Sequence, residues 1–464
     1  MNPYKSTGNV AWFLSMALMM TVATNASAEW KEKVLYSFQG GSDGQTPAGG
    51  VVFDKAGNLY GVTNEGGSTC PSPGCGTVFQ LAPPTQKGGP WTETILYGFN
   101  GPDGSIPVGG AIIDGNGNLY GTTAYGGSGT CLLFGDNVGC GVVYELSPPT
   151  KKGGQWTYTV LYNFQGGKDG LFPWGDLVFD KNGNLYGATQ FGGGKGTTCN
   201  QYFDGNCGTV FELSPPKQKG GKWTEKILHS FAGGGDGATP NGGLVLDTKG
   251  TIYGTAVAGG YEKGTCNPGG CGTVFGLSPK TEKGGAWTKA ALYWFHGTDG
   301  ASPVGVVLGT NGSLYGSTSG GGDSGSGTLF ALASAVTGAP WKETVLYRFK
   351  GRTDGTNPKA GLIFDLQGDL YGTTAVATNR SAQGNVFSMK PPSQKEGAGW
   401  SFSVLHTFLG SPDGAYPSAD LALDGEGIIF STTQLGGTGS GCRGGCGTVF
   451  QLELAGKMEV LPQE

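Results

Sequence analysis

Charged residues are scarce in this chain of 464 residues, and so is histidine. Charged side chains make up 14% of the sequence, there are three histidines, and the formal net charge is −5. A mildly acidic chain without a basic cluster lacks the electrostatic footprint of a nucleic-acid-binding protein. It also lacks the polybasic segment that an anionic membrane surface attracts. We therefore expect no nucleic-acid partner and no binding to a membrane surface.

Sequence signatures of catalysis are missing as well. The chain contains no Gly-x-Ser-x-Gly elbow, no His-Glu-x-x-His motif and no phosphate-binding loop. His229 and His406 occupy a position that is tyrosine in related segments, which favours a packing role, and no Ser or Cys nucleophile can be assigned to His296. The sequence therefore assigns no catalytic residue and no metal ligand. Carboxylates that are distant in sequence can still meet in the fold.

Long apolar runs are absent after the first few dozen residues. The apolar run from Val10 to Ala23 follows the cation Lys5 and precedes the small residues Ala26 to Ala28. This layout predicts a secretory signal peptide over residues 1–28, and the apolar stretch is short for a membrane span. No cysteine for lipid attachment follows the expected cleavage site. We expect a soluble chain that is secreted or periplasmic and has no membrane span.

Glycine, by contrast, is in large excess. The chain has 93 glycines and 25 prolines together with 11% aromatic residues, which is typical of a turn-rich all-β protein. The phrase Leu-Tyr/His-x-Phe recurs at intervals of 54 to 67 residues, which indicates a repeat architecture. Its seven copies begin at Leu35, Leu96, Leu161, Leu228, Leu292, Leu346 and Leu405.

Each copy contains four strand-like runs bounded by Gly, Pro, Asn or Asp. In the second copy these are WTETILYGF (91–99), GGAIID (109–114), NLYGTT (118–123) and GVVYELS (141–147). Alternation at period two places Trp91, Ile95, Tyr97 and Phe99 on one side of the first run. A β-helix needs much shorter coils, and separate sandwiches need about 100 residues each. The sequence predicts an all-β, seven-bladed β-propeller of four-stranded antiparallel blades over residues 29–456, with a short tail over 457–464.

The positions of the Trp-containing run predict how the ring closes. This run opens the mature chain at Trp30 and is absent after the last GTVFQLELAG segment. The last blade would then lack its outer strand unless residues 30–38 supply it by pairing antiparallel with residues 447–454. Such pairing covers an open sheet edge and joins the two ends of the chain.

The ten cysteines fall in pairs between the third and fourth of these runs in five copies, and the fifth and sixth copies have neither member. Each copy thus has either both cysteines or none, which in an exported chain predicts local disulfides. Zinc sites would need four ligands at a more regular spacing. The predicted pairs are Cys70 with Cys75, Cys131 with Cys140, Cys199 with Cys207, Cys266 with Cys271, and Cys442 with Cys446. These loops and the crossovers between blades should share the upper face of the propeller.

Two groups of residues on that face are candidates for ligand binding. A recurring Asp-Gly-x-x-Pro phrase places one Asp in every crossover, and seven carboxylates near the channel mouth would suit a cation or a polyhydroxy ligand. The alternative is that each Asp caps its own turn. Aromatic residues in the second and third copies form the other group, as a sugar-stacking or protein-docking patch. The candidates are Asp43, Asp103, Asp169, Asp236, Asp299, Asp354, Asp413, Phe134, Trp174, Tyr202 and Phe203.

Taken together, the recurring Leu-Tyr-x-Phe, Asp-Gly-x-x-Pro, Gly-Asn-Leu-Tyr-Gly-Thr-Thr and Gly-Thr-Val-Phe-x-Leu-Ser-Pro phrases resemble the GloVer tandem repeat of exported bacterial proteins, which are named for varied C-terminal anchors. The resemblance covers residues 30 to 454 and implies a propeller without an assigned activity, so no catalytic residue is carried over. The chain ends in ELAGKMEVLPQE without an anchor, which favours release. The Asp-x-x-Gly-Asn-Leu-Tyr phrase is also similar to NHL and gluconolactonase-type propellers, but the strand continues here into Gly-Thr-Thr where theirs continues into an Asp.

The sequence thus favours a non-catalytic, monomeric binding scaffold for a glycan or an extracellular protein, acting through its disulfide-bridged upper face. The alternative is an extracellular hydrolase or lyase acting on carbohydrates or lactones, with carboxylates and a divalent cation at the channel mouth. No cofactor is predicted, and a calcium ion has no supporting motif.

Overall fold

The computed structural model describes residues 29–455, except 68–69, 134, 152, 195–206, 219, 261–265, 267–268, 280–285, 334–339, 377–382 and 394–398. The predicted signal peptide and tail lie outside the described residues. Among the described residues, none belongs to a helix with the length and apolar character needed to cross a bilayer.

The chain forms seven antiparallel, four-stranded sheets in a ring, which confirms the predicted propeller. The inner strands are short in blades 2, 6 and 7, continuous and longer in blades 4 and 5, and in two pieces in blades 1 and 3. They comprise Gln45–Pro47 with Val52–Phe53, Ile112–Ile113, Leu171–Pro173 with Val178–Phe179, Ala238–Leu246, Ala301–Leu308, Ile363–Phe364 and Ala422–Leu423. The second strands are Leu59–Glu65, Leu119–Thr123, Leu185–Phe191, Ile252–Ala258, Leu314–Gly320, Leu370–Thr374 and Ile429–Thr433.

The third strands are Thr77–Ala82, Val142–Ser147, Thr209–Ser214, Thr273–Ser278, Thr328–Ala333, Asn385–Lys390 and Thr448–Leu454. The outer strands of blades 1 to 6 are Thr92–Gly98, Thr157–Asn163, Thr224–Ser230, Thr288–Trp294, Lys342–Arg348 and Ser401–Thr407. A small hairpin pairs Leu132–Leu133 with Asp136–Asn137, and the 3-10 turns Gly41–Asp43 and Gly234–Asp236 lie in two crossovers.

The N-terminal strand completes the last blade, as predicted. Strand Trp30–Ser37 pairs antiparallel with Thr448–Leu454, with Trp30 opposite Leu454 and Ser37 opposite Thr448. The pairing continues at both ends, since the Phe38 amide donates to the Gly447 carbonyl at 3.0 Å and the Ala455 amide to the Glu29 carbonyl at 2.7 Å. The two ends of the described chain therefore share one sheet.

The expected arrangement of the Trp-containing strand is wrong in one respect. Every outer strand carries a β-bulge at the leucine of the Leu-Tyr/His-x-Phe phrase, for example at Leu96, where Val78 opposes Tyr97 and Phe79 opposes Ile95. One extra residue in a strand transfers all later side chains to the other face. Trp91 and Ile95 therefore pack on the side of blade 7, whereas Tyr97 and Phe99 pack toward blade 2.

The core lies between the blades and explains the Leu-Tyr-Gly-Thr-Thr phrase. The phenylalanine that ends each outer strand is fully buried and meets an aromatic ring on the third strand edge-on, as Phe38 does with Phe79 at 5.1 Å between ring centroids. The glycine of the phrase makes room for that ring, since a Cβ on Gly61 would lie 2.6 Å from Phe79 Cζ. Edge-to-face pairs of this kind add about 0.5–1.5 kcal/mol beyond area burial.

Neighbouring blades are joined on the upper face by a repeated contact between a proline and a glycine. The residue before each crossover proline has φ between +53° and +58° and donates its amide to a backbone carbonyl of the preceding blade, which in five blades is that of the second cysteine. In blade 3 the Phe172 amide donates to the Cys140 carbonyl at 3.0 Å. The next residue is Gly141, and a Cβ there would lie 2.5 Å from Pro173 Cδ.

Disulfides brace these joints. The pairs Cys70–Cys75, Cys131–Cys140, Cys266–Cys271 and Cys442–Cys446 are formed as predicted. Cys207 is also disulfide-bonded, whereas Cys199 lies outside the described residues. Each bridge closes a loop whose last cysteine supplies the carbonyl of the inter-blade joint, so the bridges support the joints directly.

Removing the closing strand should destabilise the whole ring. Deletion of residues 29–38 leaves the edge of Thr448–Leu454 unpaired and separates the two ends of the chain. We expect the melting temperature to fall by many degrees, measured by circular dichroism or scanning calorimetry. An unchanged melting temperature would contradict the closure.

A single methyl group should test the proline–glycine joint. Gly141 (φ +93°) and Gly57 (φ +80°) both have positive φ, but only Gly141 is crowded, because no atom lies within 4 Å of a Cβ at Gly57. Gly57→Ala should cost about 1 kcal/mol from backbone strain alone. Gly141→Ala should cost a further ~1–3 kcal/mol from overpacking against Pro173. Equal loss of thermal stability in the two variants would show that the joint is not tightly packed.

Candidate functional site

The central channel contains a cavity of about 290 Å³ lined by residues from all seven blades. Because every blade contributes, this cavity lies on the axis of the ring. Its wall is formed where the inner strands begin, directly after the crossover prolines, and by the upper ends of second strands. The cavity therefore opens toward the face that carries the disulfide loops.

The residues that follow the crossover prolines distinguish the blades from one another. The prolines themselves recur in all seven copies, but the residues after them differ in size, polarity and charge. They are Ala48, Val108, Trp174, Asn241, Val304, Lys359 and Ser418, and all seven line the cavity. The residues that differ between blades are thus found in the channel, whereas the surrounding framework is repeated. A surface that selects a ligand needs such differences.

Trp174 is the aromatic member of this ring. It was a ligand-binding candidate from the sequence, and the structure places it in the channel wall, half-buried, with its amide donating to the Ala188 carbonyl at 3.1 Å. Polar side chains from other blades share the cavity, among them Asn64, Asn241 and Gln434. Buried and unpartnered oxygens are present too, because Asn64 Oδ1 and Ser418 Oγ have no hydrogen-bond partner among the described residues.

Two carboxyl groups meet across the channel. Asp176 in blade 3 and Asp420 in blade 7 occupy a position that is glycine in four other blades, and their side chains hydrogen-bond to each other. Each is also held by a neighbouring blade: the Gly110 amide donates to Asp176 Oδ1 and the Gly361 amide to Asp420 Oδ1, both at 2.5 Å. The pair therefore bridges the ring just below Trp174.

The electrostatics of this pair follow from its position. Both side chains keep some contact with the channel but are surrounded by protein. Burial raises the pKa of Asp176 well above its usual range, and the Asp420 carboxylate raises it further, against the lowering effect of the Gly110 amide. Burial also raises the pKa of Asp420. Two carboxylates this close retain one proton between them at neutral pH, so the pair can both donate and accept hydrogen bonds.

Sequence reasoning missed Asp176 and Asp420. The signal was present, because an Asp replaces the second glycine of the Pro-x-Gly-Gly phrase in these two copies. Their meeting depends on blades 3 and 7 being nearly opposite in the ring, which no local pattern encodes.

The seven predicted aspartates lie elsewhere, each inside its own crossover. Every one accepts a hydrogen bond from a tyrosine or histidine six or seven residues earlier, as Asp43 does from the Tyr36 hydroxyl at 2.6 Å, and from a backbone amide such as that of Gln39 at 2.6 Å. This geometry matches the turn-capping alternative. The seven are Asp43, Asp103, Asp169, Asp236, Asp299, Asp354 and Asp413, and none of them lines the described cavity. Their role in ligand binding stays a prediction.

Three further aromatic candidates, Phe134, Tyr202 and Phe203, lie outside the described residues. Leu132, two residues before Phe134 in the sequence, is 56% exposed and lies on the small hairpin of blade 2.

The sequence matches the model of the Gloeobacter/Verrucomicrobia repeat over residues 21–267 and again over residues 263–463. No curated protein matches the chain in sequence.

Several solved structures are similar to this chain at low sequence identity. One is a proposed oxidoreductase (glucose dehydrogenase) of Thermus thermophilus, with 15% identity, a TM-score of 0.40 and coverage of 74% of this chain and 95% of that one. Another is PorZ, a surface component of the type-IX secretion system of Porphyromonas gingivalis, with 12% identity, a TM-score of 0.43 and coverage of 90% and 47%. A third is the extracellular domain of a proposed one-component system of B. thetaiotaomicron, with 10% identity, a TM-score of 0.51 and coverage of 93% and 42%. This chain thus spans less than half of the last two proteins, and these likenesses concern the fold alone.

The shared proton of the channel pair should be visible in the pH dependence of stability. A group whose pKa is raised on folding stabilises the protein fully at low pH, and this contribution is lost as the pH rises through the folded pKa. Asp176→Asn imitates the protonated form and removes one titrating group. We expect the melting temperature of the wild type, in scanning calorimetry, to fall more steeply than that of Asp176→Asn as the pH rises from about 5 to about 9. Parallel curves would show that the pair does not hold a proton.

Proposed function

The chain belongs to the Gloeobacter/Verrucomicrobia repeat family, and on this premise we propose that it is an exported, non-catalytic binding propeller. Its ligand is a polyhydroxylated molecule, a glycan, held in the upper part of the central channel. The disulfide-bridged upper face forms the rim through which the ligand enters. The disulfides themselves favour an oxidising compartment outside the cytosol.

One observation carries this proposal: the seven blades repeat their core and joints but differ at the channel positions after the prolines. A purely structural channel would need no tryptophan, asparagine and lysine at equivalent places. Side chains that differ around the ring form an asymmetric surface. Recognition of an asymmetric ligand requires such a surface. The structural repeats thus serve as a rigid frame for a site that is not repeated.

The chemistry of the wall suits a sugar. Trp174 offers an apolar face against which a sugar ring can stack, while Asn241, Gln434 and Ser418 offer hydrogen-bond donors and acceptors to hydroxyl groups. The Asp176–Asp420 pair adds both a donor and acceptors at the floor. The volume of about 290 Å³ is close to the lower end of small-molecule sites, about 300–1,000 Å³. It suits one or two sugar units rather than a protein segment of any size.

A second candidate is a hydrolase or lyase that uses the same site. The specific observation in its favour is the pair of carboxyl groups with raised pKa, because paired carboxyl groups are a common arrangement for acid–base chemistry on glycosidic bonds. The binding role is favoured because the carboxyl groups hydrogen-bond to each other and to backbone amides, which leaves neither directed solely at a ligand.

Glycan binding that depends on Trp174 is the test. The mature protein would be screened on a glycan array, and the affinity for the strongest hit would be measured by calorimetry for the wild type and for Trp174→Ala. Loss of the stacking face should weaken binding by at least about tenfold, roughly 1.4 kcal/mol. Trp294→Ala is the matched control, because Trp294 is 41% exposed on an outer strand far from the channel, and it should bind like the wild type.

Two outcomes would oppose the proposal. Equal affinity of Trp174→Ala and wild type would show that the ligand binds elsewhere. Absence of binding to every glycan on the array would contradict a glycan ligand. Cleavage of the bound glycan that disappears in Asp420→Asn would instead favour the enzyme.

A further inference from the structure

Each junction between consecutive crossovers repeats a three-part arrangement outside the channel. The crossover aspartate contacts the tyrosine or histidine of its own copy, and the side chain two residues after the next Trp lies near one or both of them. In blade 4 this third side chain is Lys289, whose ammonium is 2.9 Å from Asp236 Oδ1. The imidazole of His229 contacts the same carboxylate at 3.0 Å. The Lys289 ammonium therefore compensates the charge of Asp236 there, and His229 contacts the same carboxylate.

In four junctions the third side chain is a glutamate, namely Glu32, Glu93, Glu225 and Glu343. Each has one buried carboxyl oxygen without a hydrogen-bond partner. Burial, and then the adjacent crossover aspartate, raise the pKa of each to about 7. At the position of Lys289 in blade 4, these junctions carry a carboxyl group instead of an ammonium group.

Only one of them also brings an imidazole close enough to act as a ligand. Glu32, on the closing strand, lies beside His406 and Asp413, and one donor atom from each of the three lies within 4.8 Å of the others. His406 Nε2 is 3.2 Å from Asp413 Oδ1. Among the residues that the structure describes, no other group of three such side chains comes this close together.

The comparison with blade 4 indicates what this junction is missing. Both junctions have the same histidine and aspartate, but Glu32 stands where Lys289 supplies a positive charge. Replacing a cation by a second carboxylate leaves an excess of negative charge that is partly removed from water, which is costly unless a cation or a proton compensates it. The three-residue cluster is therefore suited to an external cation.

We propose that Glu32, His406 and Asp413 form a binding site for a divalent transition-metal ion, with zinc as the best fit. One imidazole nitrogen and two carboxylate oxygens are a ligand set that zinc accepts, and a water molecule can complete four-coordination. The hard ions calcium and magnesium prefer an all-oxygen set of higher number. The proposal is independent of any ligand in the channel.

The location gives the site a structural consequence. Glu32 belongs to the N-terminal strand that completes blade 7, whereas His406 lies on the outer strand of blade 6 and Asp413 in the crossover that follows. A bound ion would thus tie the closing strand to the preceding blade. Metal binding should raise the stability of the ring, because a ligand that binds only the folded state stabilises it by mass action.

The test is metal-dependent melting of untagged, mature protein. After treatment with a chelator and its removal, zinc should raise the melting temperature of the wild type by several degrees, and elemental analysis should find one ion per chain. Cobalt bound in place of zinc should give the visible absorption of a four-coordinate ion. Glu32→Gln should abolish all three effects while the metal-free variant melts no lower than the metal-free wild type.

Glu343→Gln is the matched control. Its junction also contains a histidine, since His296 Nδ1 is 3.1 Å from Asp299, but those three side chains do not come within ligand distance of one another. This variant should keep the full zinc response. Absence of a response in the wild type, an unchanged response in Glu32→Gln, or its loss in Glu343→Gln would overturn the proposal.

Discussion

The ring depends on one repeated contact, in which the start of each inner strand locks against the preceding blade. The residue before the crossover proline adopts a positive φ that side chains rarely accept, at a cost of order 1–3 kcal/mol. It persists because its amide finds a carbonyl of the neighbouring blade, and because the following proline fits against a glycine with no room for a Cβ. Thr46 and Pro47 make the same contact with Cys446 and Gly447, so the contact also closes the ring.

This joint fixes the channel. The proline that packs against the neighbouring blade is followed at once by the residue that lines the cavity. A tightly packed residue that is the same in all blades is therefore adjacent in sequence to one that differs between blades. The disulfide loops supply the accepting carbonyls in five blades, and Ser326 and Gln383 supply them in blades 5 and 6. A disulfide in such a loop is thus connected to the channel wall through the joint. The upper face therefore carries both the disulfides and the opening of the cavity.

Polar groups that depart from the repeat in the channel and in blade 4 are compensated by hydrogen bonds or an ion pair. The carboxyl pair in the channel replaces glycines, and it is held by backbone amides from the two adjoining blades. Lys289 replaces a glutamate or aromatic residue and neutralises Asp236, where hydrogen bonds from His229 and Lys289 lower the pKa of the aspartate against the opposing effect of burial. In the two remaining junctions an aromatic side chain stacks on the tyrosine instead, as Phe402 does on Tyr347 at 4.1 Å. The position two residues after the Trp of each copy can therefore be occupied by a carboxyl group, an ammonium group or an aromatic ring beside the crossover aspartate.

The sequence by itself determined the blade number, the closure by Trp30–Ser37 and the local disulfides, because each follows from short-range periodicity or from strands counted along the chain. It did not determine the side to which Tyr97 and Phe99 turn, since strict alternation along the strand does not reveal the bulge at Leu96, which transfers the later side chains to the other face. The meeting of Asp176 and Asp420, and of Glu32 with His406, was likewise decided by the tertiary structure. Those residues are 244 and 374 positions apart, and only the closed ring, with its fixed blade-to-blade geometry, brings their side chains together.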